Sequence, residues 1–121
     1  MIKVMTFIKK KKGITQDEFI RYYEEVHAPL ALKLLPHPKK YVRNHIVATT
    51  EGGGPGFDCI SEFWYDSPEA AQTVTDVLGG VDVTSGYTTE IGRIFREDEE
   101  KFMDRRKRFS CVVEERISNL P

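Results

Sequence analysis

His27, Tyr41 and His45 are the side chains whose types and placement suit proton transfer in this chain. A neutral imidazole titrates close to working pH, so His27 can take or give a proton without a metal. Tyr41 can donate to a carbonyl or enolate oxygen as charge develops there. Together they point to abstraction of a proton beside a carbonyl, with the oxygen held by the phenol; isomerisation, dehydration or aldol cyclisation would follow. His45 shares a strand face with Tyr41 if that strand is regular, and would then serve as a second proton relay. Thr6, Tyr23, Cys59 and Phe63 are expected to line an otherwise apolar pocket suited to an oxygenated ring. Each polar residue also has a plainer reading. His27 fits an ordinary packed histidine, Tyr41 a ring seated in the core, and His45 a solvent-facing strand end.

The element that must position His27 is an amphipathic helix over Thr15 to Leu30. Thr15 and Glu18 have the spacing of a capping box, and Ile14 and Phe19 that of a hydrophobic staple. Phe19, Tyr23, Val26, His27 and Leu30 recur at three- and four-residue steps, which sets His27 on or beside the buried stripe. Pro29 lacks the amide that would reach the carbonyl of Glu25 and pushes Ala28 out of helical geometry, so the helix should be interrupted there.

The other elements follow in order. Ile2 to Lys9 alternates with apolar residues on both sides, as in a strand covered on both faces. Tyr41 to Val47 reads as a second strand, with Tyr41, Arg43 and His45 on one face. Phe57 to Tyr65 is a third, with Cys59, Ser61 and Phe63 on one face and Ile60, Glu62 and Trp64 on the other. Ser67-Pro68 starts a helix that buries Ala71, Val74 and Leu78 and stops at Gly79-Gly80. Val81 to Gly92 reads as a loop, Ile94 to Asp104 as a short charged helix anchored by Phe95, Phe102 and Met103, and Phe109 to Ile117 as the last strand. The order predicts an α+β, ferredoxin-like βαββαβ fold with a four-stranded antiparallel sheet and both helices on one face. Met5, Phe7, Ile60 and Trp64 remain on the other face, which predicts a homodimer through that open face.

The 121 residues suit one domain spanning 1–121, and the net charge of -1 argues against a general polyanion binder. The basic run Lys9 to Lys12 reads as a solvated loop, and Glu97 to Glu100 offsets Arg105 to Arg108. The two cysteines, Cys59 and Cys111, read as buried thiols. The three histidines match no metal-ligand spacing, so no metal is expected. The glycine-rich turn Gly52 to Gly56 lacks the residues of a phosphate loop. An RNA-binding domain shares the strand order, but FDCISEFWY lacks its basic-Gly-aromatic pattern, so no nucleic-acid partner is expected. Met1 leads straight into a strand and no apolar run reaches membrane length, so a cytoplasmic protein without signal peptide or membrane contact is expected.

The strand-then-helix opening, EEVHAPL, the tyrosine that begins YVRNHIV, FDCISEFWYDSPEA and DEEKFMDRRKRFSCVVEE together resemble the EthD-like family of the dimeric α+β barrel superfamily. The resemblance covers nearly the whole chain except Val81 to Gly92. It implies a cofactor-free homodimer with a hydrophobic pocket between sheet and helices, in a superfamily that includes a methylmuconolactone isomerase and polyketide cyclases. His27 and Tyr41 match polar active-site positions of the isomerase branch, while its third-strand cysteine appears here as Phe63. The expected activity is cofactor-independent proton transfer, as an isomerase or lyase, on a small hydrophobic oxygenated ring, lactone or polyketide-like substrate. The alternatives are a non-catalytic binding or accessory protein and a cofactor-free or haem-linked monooxygenase.

Overall fold

The computed structural model describes residues 1–52, 54, 56–79 and 89–121. Strand β1, Ile2–Ile8, lies inside the sheet, as its two apolar faces require. β2 (Lys40–His45), β3 (Cys59–Tyr65) and β4 (Phe109–Val113) complete a four-stranded sheet in the order β2-β3-β1-β4, antiparallel throughout. Thr6 stands opposite both Ser61 and Ser110, and Tyr41 opposite Phe63, so these side chains share the helix-covered face. This is the expected α+β, ferredoxin-like arrangement. Each of the four strands is shorter at one flank than expected, β1 stopping at Ile8 rather than Lys9. β2 stops at His45 rather than Val47, which is 89% exposed, β3 begins at Cys59 rather than Phe57, and β4 stops at Val113 rather than Ile117.

The first helix departs most from expectation. Both halves of the capping box form, with the Glu18 amide donating to the Thr15 hydroxyl and the Thr15 amide to the Glu18 carboxylate, each at 3.1 Å. Helix α1, Gln16–Tyr22, then widens into a π turn over Tyr23–His27 and continues as α2, Ala28–Leu34. Pro29 therefore does not interrupt it, and Ala28 keeps helical angles (φ −63°, ψ −44°). The Ala28 amide donates to the Tyr23 carbonyl, five residues back, and Pro29 falls in the first turn of α2, where a missing amide costs nothing. The turn also sets the buried row: Phe19, Tyr23, His27 and Ala31 are buried at successive four-residue steps, while Val26 is exposed and Leu30 half-buried.

Helix α3, Pro68–Leu78, is capped by Ser67, and Gly79 ends it with a positive φ of 80° that favours glycine. Gly80 and most of the expected Val81 to Gly92 loop lie outside the described residues. The next helix, α4, spans Glu90–Glu99 rather than Ile94 to Asp104. Thr89 caps it by accepting from the Gly92 amide at 3.0 Å. The chain leaves it in a turn that carries Phe102 and Met103 into the core. A 3-10 turn at Arg105–Lys107 leads into β4. There Glu99 pairs with both Arg105 and Arg108, so the acidic run does offset the basic one.

Phe102 is the centre of the core. It is fully buried, and its ring lies 5.6 Å from Phe19, 5.2 Å from Tyr23 and 4.9 Å from His27. Truncating such a ring removes its buried area and leaves a cavity. Phe102→Ala should lower the unfolding free energy by about 3–5 kcal/mol, read from the urea midpoint at constant slope.

Candidate functional site

Between the sheet and its helices lies a cavity of about 680 Å³, within the usual range for small-molecule sites. His27, Tyr23 and Tyr41 reach its wall, with Thr6 and Phe63 on the sheet side and Phe95 on the helix side. The structure thus brings together five of the seven residues singled out from sequence. Cys59 is fully buried behind the wall, within 3.7 Å of the Ser61 hydroxyl, and burial lifts its thiol to about 11. His45 also stands off the cavity: its Nε2 lies 2.9 Å from the Glu24 carboxylate, and its ring edge meets Phe19 and Tyr23. Neither side chain lines the cavity, contrary to expectation. Strand alternation aims both side chains at the helix layer, but at the end of the sheet where α1 packs down and no space remains.

His27 has a partner that the sequence reading does not name. Its Nδ1 lies 2.8 Å from Asp98 Oδ2 on α4, with both side chains under 10% exposed. An ionised carboxylate only accepts, so Nδ1 carries the hydrogen and Nε2 remains as the basic nitrogen. Tyr22 donates to the other oxygen, Oδ1, at 2.5 Å. Burial alone would raise the Asp98 carboxyl, but the bonds from His27 and Tyr22 outweigh it and the net shift is downward. Asp98 therefore stays charged behind the imidazole. A signal for it existed: Ile91, Phe95, Asp98 and Phe102 follow helical spacing, which put Asp98 on the apolar stripe although it sits inside an acidic run.

Tyr41 is held from two sides. Phe63 stacks on its ring at 4.6 Å, and the Arg43 guanidinium lies 4.5 Å from its centroid on β2. Arg43 is fixed in turn by a two-pronged bond to Glu24, at 3.0 and 2.7 Å. Burial pushes the Tyr41 phenol up to about 12 against the opposing pull of Tyr23 and Arg43, so it remains a donor across the physiological range. Its hydroxyl donates to that of Tyr23 at 3.3 Å. Among the described residues no three His, Cys, Asp or Glu side chains cluster to hold a metal ion.

Residues 11–106 match the model of the EthD domain family. The chain belongs to that family. An ethyl tert-butyl ether D (EthD) family protein from Bacillus halodurans is similar to this EthD domain over 96% of this chain and 99% of its own, at 22% identity and a TM-score of 0.65. An EthD-like protein from Ralstonia eutropha is 19% identical, with 93% and 89% covered and a TM-score of 0.62. A dimeric, ferredoxin-like protein of unknown function from Bacteroides fragilis is 9% identical, with 93% and 94% covered and a TM-score of 0.58. At these identities the likenesses show the fold. No functionally curated protein matches the chain. No described helix is long and apolar enough to cross a membrane.

The Arg43–Glu24–His45 cluster of this EthD domain has a pH signature. The Arg43 guanidinium, helped by His45 and opposed by burial, draws the Glu24 carboxyl from its ordinary 4.5 down to about 2. A carboxyl lowered in the folded state contributes stability that is complete above its ordinary value and lost as pH falls through the folded one. Between about pH 4.5 and 2 the wild-type urea midpoint should fall more steeply than that of Glu24→Gln. Parallel curves for the two proteins would show that the cluster adds nothing to acid stability.

Proposed function

We propose that this EthD domain is a cofactor-independent proton-transfer enzyme acting beside a carbonyl of a hydrophobic, oxygenated ring, lactone or polyketide-like substrate. One observation carries this reading: a buried imidazole backed by an ionised carboxylate opens onto the same apolar cavity as a neutral phenol. His27 Nε2 takes the proton from carbon, and Asp98 steadies the imidazolium that forms. Tyr41 turns its hydroxyl from Tyr23 to the substrate oxygen as negative charge builds there. The proton returns at another carbon in isomerisation, or leaves with a hydroxyl in dehydration; in cyclisation the carbanion attacks a second carbonyl.

The open sheet face supports a homodimer as the working unit. Phe7, Phe57 and Phe109 cluster there, with Phe7 and Phe109 stacked at 4.6 Å and Phe109 44% exposed. Trp64 lies on the same face, with its indole nitrogen buried and without a hydrogen-bond partner among the described residues. A dimeric relative has the same fold. Sedimentation equilibrium should give twice the chain mass, and Phe7→Glu should give the monomer while keeping the helical circular dichroism.

The catalytic reading is tested by deuterium exchange from heavy water into phenols, lactones and polyketide fragments. His27→Ala should slow exchange by about 10²–10⁴-fold, the usual weight of one acid–base group. Asp98→Asn should slow it by about 10–100-fold with little change in ligand affinity. Equal binding by wild type and His27→Ala, with no exchange by either, would instead make the domain a binding protein.

A further inference from the structure

Three further proton-bearing groups stand behind Tyr41. The Tyr41 hydroxyl donates to Tyr23 at 3.3 Å, the Tyr23 and Ser61 hydroxyls lie 2.7 Å apart, and Ser61 Oγ lies 3.7 Å from Cys59 Sγ. Tyr23 is 1% exposed, and Ser61 and Cys59 are fully buried. The chain of groups therefore meets the cavity at its tyrosine end and is sealed at Cys59. Its geometry follows from the fold. Cys59 and Ser61 are two residues apart on β3 and so share the helix face, β2 brings Tyr41 alongside, and the π turn lowers Tyr23 onto both.

We propose that Tyr41, Tyr23, Ser61 and Cys59 form a reversible hydrogen-bond relay that makes this end of the cavity selective for anionic oxygen, a phenolate or enolate, over a neutral isostere. The proposal rests on Tyr41 being the residue that holds the substrate oxygen. With Tyr41 donating to Tyr23, the donors can run inward, from Tyr23 to Ser61 and from Ser61 to Cys59. When an oxyanion reaches Tyr41 each hydrogen turns about its own bond. Cys59 then donates to Ser61, Ser61 to Tyr23, Tyr23 to Tyr41 and Tyr41 to the ligand. No covalent bond breaks, and the charge stays on the ligand. Each donor polarises the next, so the last bond in the line is stronger than an isolated phenol would make. A neutral ether oxygen draws far less from the same line. Burial favours the neutral form of all three acidic members, lifting Tyr41 to about 12, Cys59 to about 11 and Tyr23 well above its ordinary value.

The test measures binding of substituted 2-naphthols, at a pH where they are ionised, against their methyl ethers. The wild-type protein should prefer the anions, and Tyr41→Phe should abolish that preference. Ser61→Ala should weaken anion binding by about 3–10-fold, the size of one hydrogen bond, and leave ether binding unchanged. Cys59→Ser, which places a stronger donor at the sealed end, should tighten anion binding and so guards against misfolding of the alanine variant. If Tyr41→Phe removes the preference but neither inner variant alters it, the relay is wrong and the role of Tyr41 stands. If Tyr41→Phe leaves the preference intact, both fall.

Discussion

The proline at position 29 is the constraint on which the site geometry depends. A helix from Gln16 to Leu34 has to pass a residue with no amide hydrogen and a ring that collides with the preceding turn. The π turn over Tyr23–His27 resolves this by adding a residue to the turn just before Pro29. A four-residue step advances 40° past a full α turn but falls slightly short of a full π turn. Residues four apart therefore stay in line through the wider turn. Tyr23 and His27 end up beneath the same stretch of helix, with Glu24 on the flank toward β2. The His27 imidazole, the second phenol and the carboxylate that fixes Arg43 all descend from this one turn.

Asp98 shows how neighbouring positions on one helix can hold two separate charge systems. It faces the end of α1 and the π turn, where Tyr22 and His27 donate to its two oxygens. Glu99, one residue on, faces the cavity floor and pairs with Arg105 and Arg108. Burying a carboxylate costs several kcal/mol unless its oxygens are bonded, and here both carboxylates are bonded. The stretch from Glu97 to Glu100 looks like a solvated acidic run in composition, yet half of it is interior.

That explains what the sequence did and did not disclose. The strands, both caps and the His27–Tyr41 pair could be read because they depend on local rules: alternation, capping geometry and helical spacing. Asp98 is hidden because composition and periodicity disagree over it: an acidic run suggests solvent, while helical spacing sets it on the apolar stripe. His45 and Cys59 were placed on the correct face, but strand alternation says nothing about where along that face the helices close down. The π turn escaped because proline's local preference to end a helix is a statement about α geometry, and tertiary packing of Phe19, Tyr23 and His27 selected another turn. Helix α4 began four residues early for the same kind of reason, Thr89 being a cap that only its partner Gly92 reveals.

The two reacting groups of the proposed mechanism are supported by opposite charges. A carboxylate stands behind the imidazole, hydrogen-bonded to its Nδ1. A guanidinium lies beside the phenol and favours the form that has shared its proton, against the larger effect of burial. Proton abstraction beside a carbonyl needs this polarity, since positive charge grows at the base while negative charge grows at the oxygen. Reversing either support would leave the cavity shape intact and oppose the chemistry. The His45 imidazole then acts at one remove. By holding Glu24 it holds Arg43, and through Arg43 the charge beside Tyr41. A histidine that looks catalytic by type and strand face thus supports the phenol without reaching the cavity.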